Sequence, residues 1–359
     1  MMKSLLQEAF KGKRVFLTGH TGFKGAWMVH VLHRLGAEVW GYALPPESED
    51  WLYSLSRRGL LHQENLEDIR HPGTLGLALQ RCKPHFVLHM AAQSLVRRGY
   101  SEPRATFETN VTGTLNVLEA VRHVEIPEPP LAVMIVTTDK VYENNELGKP
   151  FHEGDPLGGH DPYSASKAAC EVLCASYRRS FLQDARRFAL ATVRSGNVIG
   201  GGDRAQDRLL PDIVRAWRKK ESVRLRYPLA TRPWQHVLEP LIAYLMLLAL
   251  ARQQPSAYSE AWNVGPQPSQ SLSVAEAAAL FCQHLGAPPP DREPQESQPQ
   301  HEARYLALSI EKITQKTPWH PRLSMQEAIQ WTADWEKDPR AASEKCFEQI
   351  ERYLDLWNS

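Results

Sequence analysis

Cysteine is scarce and scattered in this chain of 359 residues. Its five cysteines, Cys82, Cys170, Cys174, Cys282 and Cys346, form no Cys-x-x-Cys pair, and no histidine cluster has zinc-ligand spacing. That pattern argues against a disulfide framework and a metal centre, and reduced, buried thiols point to a cytoplasmic protein. Net charge is missing too. The 42 Lys and Arg nearly cancel the 41 Asp and Glu, leaving a formal +1, so there is no field to attract nucleic acid or an anionic membrane. The longest apolar run, 241–251 (LIAYLMLLALA), has about half the length that a bilayer requires and reads as a buried core helix. The N-terminal stretch MMKSLLQEAFKGKRV has too little apolar length for a signal peptide, and no internal repeat is visible. What remains is a chain long enough for a large core arranged in two lobes.

The chemistry sits in two short segments. Tyr163-Ser164-Ala165-Ser166-Lys167 places Lys167 one helical turn after Tyr163 and on the same face. From there the ammonium is expected to pull the phenol pKa down, so that Tyr163 can take a proton from a sugar hydroxyl. Thr137-Thr138-Asp139-Lys140 adds a hydroxyl, a carboxyl and a second amine at the end of an apolar strand. Together they form a proton inventory that a surface helix and a surface salt bridge would not need.

Near the N-terminus, strand 13–18 runs into Gly19-His20-Thr21-Gly22-Phe23-Lys24-Gly25 and then an apolar-periodic helix over 26–35. Glycines at such a turn let backbone N–H groups approach a pyrophosphate at the helix N-terminus and let helix and strand pack closely. The Gly-x-x-Gly-x-x-Gly spacing resembles the extended branch of the short-chain dehydrogenase/reductase superfamily. That resemblance assigns Asp68 and Ile69 to the adenine, and Ala91, Ala92, Gln93, Asn110 and Thr137 to the rest of the dinucleotide site. Strand 38–44 ends on Ala43, Leu44 and Pro45, where an acid would normally grip the ribose; Glu47 and Glu49 lie in the loop beyond. No arginine stands there, which favours NAD over NADP.

Strand and helix signals alternate at 13–18, 26–35, 38–44, 75–82, 85–90, 103–122, 131–137, 163–180 and 188–194. Alternation of this kind predicts an α/β fold: a Rossmann-type doubly wound parallel sheet with a smaller, mostly C-terminal α/β substrate-binding lobe. We divide the chain into an NAD-binding domain over 1–195 with return segments near 234–265, a nucleotide-sugar lobe over 196–330 and a C-terminal helical extension over 331–359. The proline-rich segment 286–300 reads as a surface loop or flap.

A closer resemblance emerges from several blocks together: 18–25 (TGHTGFKG), 89–93 (HMAAQ), Asp139-Lys140, 158–167 (GGHDPYSASK), 194–203 (RSGNVIGGGD), 207–213 (DRLLPDI), 232–240 (RPWQHVLEP) and 301–306 (HEARYL). From about residue 10 to 330 the chain is similar to the CDP-glucose 4,6-dehydratase family, in which Asp-Lys replaces the Asp-Glu of the dTDP-glucose enzymes. The resemblance implies NAD-dependent conversion of CDP-D-glucose to CDP-4-keto-6-deoxy-D-glucose, in deoxysugar biosynthesis of the lipopolysaccharide O-antigen type. Tyr163, with Thr138 and Lys167, would act at the C4 hydroxyl. Asp139 would be the acid for the departing C6 water and Lys140 the base at C5. Asn197, Arg208, Leu209, Arg232, His236, Glu302 and Tyr305 would bind the sugar nucleotide. Family analogy also implies a homodimer, or a tetramer, through the Tyr163 helix and the helix near 103–122, with Cys170, Leu173, Cys174 and Tyr177 as the apolar face. The competing readings are a nucleotide-sugar 4-epimerase or decarboxylase, a 4,6-dehydratase acting on another nucleotide sugar, and a non-catalytic NAD-binding regulatory protein.

Overall fold

The structure, a computed structural model, describes residues 2–49, 51–56, 59–144, 148–267, 272–291 and 305–357. Seven parallel strands form the central sheet. These are β1 (Arg14–Thr18), β2 (Glu38–Ala43), β3 (Gln63–Leu66), β4 (Phe86–His89), β5 (Leu131–Val136), β6 (Phe188–Ser195) and the edge strand Ala261–Val264. Their spatial order is β3-β2-β1-β4-β5-β6 followed by 261–264, all in parallel register. The order reverses between β1 and β4, which opens a crevice at their carboxyl ends. Strands β4, β5 and β6 are buried along their whole length, as a sheet covered on both faces requires.

One face is covered by helices Phe23–Arg34 and Leu238–Gln253, the other by Pro72–Cys82, Gly113–His123 and Pro162–Ser180. Helix Leu238–Gln253 is buried almost all round against β5 and β6, so its apolar run is core; among the described residues no helix is long and apolar enough to cross a membrane. A third cluster joins Leu209–Lys219, Val274–Leu285 and Met325–Lys337 beyond the sheet. All five thiols are free and buried.

Three expectations need correction. The segment 103–122 is helical, but a π-helical turn at Glu108–Thr112 interrupts it, and the extra residue in that turn swings Asn110 inward. The terminal stretch is two helices, Met325–Lys337 and Ala342–Asp355. A boundary between 330 and 331 cuts the first of them. Met325, Ala328, Ile329 and Ala333 pack in the third cluster while Trp331 and Trp335 pack in the sheet core, so this helix belongs to both. On the Tyr163 helix, Cys170, Cys174 and Tyr177 are already buried within the chain, leaving Val172, 59% exposed, as the outward apolar residue. Of 286–300, only residues 286–291 are described.

Candidate active site

A cavity of about 1450 Å³ follows the carboxyl ends of the strands. One wall holds Gly19, Thr21, Gly22, Phe23, Lys24, Gly25, Asp68, Ile69, Ala91, Ala92 and Gln93; the far wall holds Asn197, Arg208, Leu209 and Arg232. Thr137, Thr138, Asp139, Lys140, Tyr163 and Lys167 stand between them. Residues more than a hundred positions apart therefore share one space because every strand of a parallel sheet ends on the same side.

The glycine turn has the form that a dinucleotide needs. Gly19 has φ +77°, and a Cβ there would lie 2.6 Å from the Ala91 nitrogen; a Cβ on Gly25 would lie 2.0 Å from the Gly19 carbonyl oxygen. Only bare backbone fits. Gly22 starts helix Phe23–Arg34 without a side-chain cap, so the first N–H groups stay open toward the cavity, as a diphosphate requires. Asp68 carries two hydrogen bonds from Arg70 Nε and one from its Nη2, which hold the carboxyl below its ordinary pKa. At the end of β2, Leu44, Pro45 and Glu47 line the wall.

The residues expected to be catalytic sit at two element ends. Thr138 closes β5 and caps the short turn Asp139–Val141, donating to Asp139 Oδ1 at 3.0 Å. Asp161 caps helix Pro162–Ser180 by accepting from the Ser164 nitrogen at 3.0 Å, and Pro162 presets the first turn, which places Tyr163 at the cavity. Tyr163 hydrogen-bonds to Thr138, yet burial pushes its phenol up to about 12. The expected lowering by Lys167 does not decide the outcome: Lys167 Nζ is committed to the Val136 carbonyl oxygen at 3.0 Å, and burial outweighs the downward pull of Thr138 and Arg208. Burial likewise raises the Asp139 carboxyl, against the opposing pull of Lys140. Asp139 Oδ2 is buried and has no hydrogen-bond partner among the described residues. Lys140 is half-buried in the wall.

Some of the expected positions are structural instead. His236 is fully buried between Trp27 and Trp331, with ring centroids 6.0 and 5.6 Å away, and burial pushes its pKa down to about 3; it does not line the cavity. Asn110 accepts from the Gln93 nitrogen at 2.8 Å and donates to the Gln93 carbonyl and to Ser166 Oγ, so it ties the β4 loop to the Tyr163 helix behind the wall. Tyr305 offers its carbonyl oxygen to Asn144 while its neighbour Leu306 reaches the cavity. Glu302 lies outside the described residues.

Sequence reasoning passed over what surrounds Lys24. Its Nζ donates to Tyr244 Oη at 2.9 Å and to Ser195 Oγ at 3.3 Å. Burial, reinforced by Arg208, pulls that amine down to about 7. The signal was present in Tyr244, the one hydroxyl within the apolar run 241–251. Arg97 and Arg226 also line the cavity and meet on Asp207 Oδ1 at 3.1 and 2.8 Å, a pairing that no local spacing announces. Behind the wall, Glu171 binds Arg194 at 2.9 Å and accepts from Thr137 and Thr192, which locks the Tyr163 helix to β5 and β6. Among the described residues no group of three acidic, histidine or cysteine side chains could hold a metal ion.

Comparison with known proteins agrees with this construction. The family model described as GDP-mannose 4,6 dehydratase matches residues 16–332. A CDP-glucose 4,6-dehydratase of Salmonella typhimurium is 40% identical over 332 residues, 91% of each chain. A dTDP-glucose 4,6-dehydratase of Xanthomonas campestris pv. campestris is 32% identical over 273 residues, 72% of this chain and 74% of its own. Among solved structures, the UDP-glucose 4-epimerase of Thermus thermophilus in complex with NAD superposes with a TM-score of 0.75 at 25% identity, covering 91% of this chain and 100% of that one. With the glycine turn, the Tyr163–Lys167 pair and the parallel sheet in place, the chain belongs to the GDP-mannose 4,6 dehydratase family, within the extended short-chain dehydrogenase/reductase superfamily.

Proposed function

We propose that the chain is an NAD-dependent hydro-lyase that converts CDP-D-glucose to CDP-4-keto-6-deoxy-D-glucose, a step of deoxysugar biosynthesis. The observation that carries this reading is the Asp139–Lys140 pair beside Tyr163 in one cavity, with the Asp139 carboxyl raised by burial. Elimination of water needs an acid and a base next to the residue that deprotonates the C4 hydroxyl, and an epimerase has no use for that second pair. The glycine turn, Asp68, Ile69 and 91–93 would hold NAD, which would serve as hydride acceptor for C4 and hydride donor for C6.

Tyr163 takes the C4 hydroxyl proton at its phenolic oxygen while Thr138 hydrogen-bonds the same substrate oxygen. Bound substrate and cofactor must bring that phenol down from about 12, and the Lys167 ammonium and Arg208 are the cations available to do so. Once C4 is a ketone, the C5 proton is acidic. Lys140 accepts it at Nζ, and Asp139 gives its carboxyl proton to the oxygen leaving C6; the two act as one coupled pair. Lys140 then returns the proton to C5. Arg208, Arg232 and Asn197 orient the diphosphate, and the backbone at Leu209 faces the base. Exposed Val172 and Phe107, on the two helices that pair in such enzymes, support a homodimer or a tetramer built from it; a monomer in sedimentation at micromolar concentration would overturn it.

The test is to incubate the protein and NAD with CDP-glucose, dTDP-glucose, UDP-glucose and GDP-mannose and to follow products by mass. A product one water lighter from CDP-glucose alone, without net NADH, is expected. A product of unchanged mass with inverted C4 would replace the reading with an epimerase, and no conversion of any substrate would point to a binding protein.

A further inference from the structure

Three consecutive glycines, 200–202, carry the main chain from β6 to Asp203, Arg204 and Arg208 on the substrate wall. This loop is held from two sides. Trp27, on the helix that starts at the glycine turn, donates from Nε1 to the Gly201 carbonyl at 2.9 Å. Trp335, on helix Met325–Lys337, lies so close to Gly201 that a Cβ there would be 2.1 Å from its ring. The next residue of that helix, Glu336, accepts from the Gly202 nitrogen at 2.9 Å and takes a bidentate pair from Arg204 at 2.7 and 2.9 Å. The Arg204 and Glu336 side chains are 5% and 2% exposed. Arg204 in turn donates to the Asp203 carbonyl at 3.0 Å, and the Asp203 carboxylate receives Arg208 Nη1 at 3.1 Å. The chain of contacts thus ends on the arginine that faces the cavity.

We propose that Glu336 is a positioning residue for the diphosphate of the sugar nucleotide: through Gly202 and Arg204 it sets Asp203, and Asp203 aims Arg208. The inference rests on the functional reading above and deepens it by giving the C-terminal helix a part in substrate binding. A buried ion pair contributes little net stability over an apolar pair of the same shape, whereas fixing one geometry is a use to which such pairs are well suited. A planar bidentate fork fixes direction as well as distance. The family match, residues 16–332, ends within this helix and before Glu336, so no motif of that match reaches it.

The experiment compares the full-length protein with Glu336→Gln in four readouts: KM and kcat for CDP-glucose, NADH binding by fluorescence, and thermal stability. KM is expected to rise about tenfold, with kcat and NADH affinity within about twofold of the parent. In an Arg208→Gln background the same change should leave KM unaltered, because the effect passes through Arg208. A folded Glu336→Gln protein with the parental KM, or a KM effect that persists undiminished without Arg208, would overturn the proposal. If Glu336→Gln does not fold, Glu336→Asp decides: it keeps the charge, withdraws the carboxylate by one methylene, and should show the same split to a lesser degree, whereas parental KM would again overturn it. Should the parent protein not turn over CDP-glucose, the substrate reading alone fails, and the same comparison is made by KM for the sugar nucleotide that it does accept or by the affinity for CDP.

Discussion

On the glycine-turn side of the cavity the surface is main chain, brought close because Gly19 and Gly25 leave no room for a Cβ. On the far side it is made of long charged side chains, each held by a partner: Arg208 by Asp203, Arg97 and Arg226 by Asp207, Arg204 by Glu336. A backbone surface is rigid and indifferent to most side chains, but one added methyl group destroys it. A side-chain surface is adjustable, and its accuracy depends on pairings drawn from distant parts of the chain. The first arrangement suits a ligand shared by many enzymes; the second suits a substrate that differs from one enzyme to the next.

Substitutions can test how separate the two sides are. Tyr163→Phe, at the seam, should lower kcat by about a thousandfold while leaving KM for the sugar nucleotide and NADH affinity nearly unchanged; a large loss of either affinity would mean that the seam is also a binding element. Gly25→Ala should drive a methyl group into the Gly19 carbonyl, removing bound NAD and roughly 3 kcal/mol of stability. Calorimetry and the cofactor content of the purified protein check this. Retained cofactor would show that the main-chain surface is more pliable than its geometry implies.

Lys24→Met has the smallest expected effect and the clearest sign. The Lys24 amine falls from its ordinary 10.5 to about 7 in the folded chain. Stability associated with the neutral amine is therefore full above about 10.5 and is lost as pH falls through 7. Removing the amine ends a penalty of at most about 5 kcal/mol at pH 6 but also loses the hydrogen bonds to Tyr244 and Ser195, so a net gain of about 2 kcal/mol is expected there, fading toward pH 10. Thermal melts across that range test it, and a pH-independent difference would mean that packing, not protonation, sets the effect.

Local spacing made much of the molecule readable. The strand–turn–helix at 13–35, the Tyr163–Lys167 turn and Thr138-Asp139-Lys140 announce themselves because residues a few positions apart are bound to be neighbours. His236 and Asn110 illustrate the other case. Both stand in motifs that touch ligands by family analogy, but Trp27 and Trp331 enclose the histidine, and the π turn sends the asparagine toward Gln93 and Ser166. Neither outcome follows from the segment itself. The Tyr163 phenol is a third case, since its proton affinity is decided by burial that no pair spacing records.

The pairing of Arg204 with Glu336 spans 132 residues. At a synthesis rate of about 5–20 residues per second, roughly ten seconds separate the emergence of the two partners. The glycine turn can close on its strand early during translation, but the substrate wall has to wait for the last helices. The substrate wall is thus among the last parts of the molecule to take its final geometry.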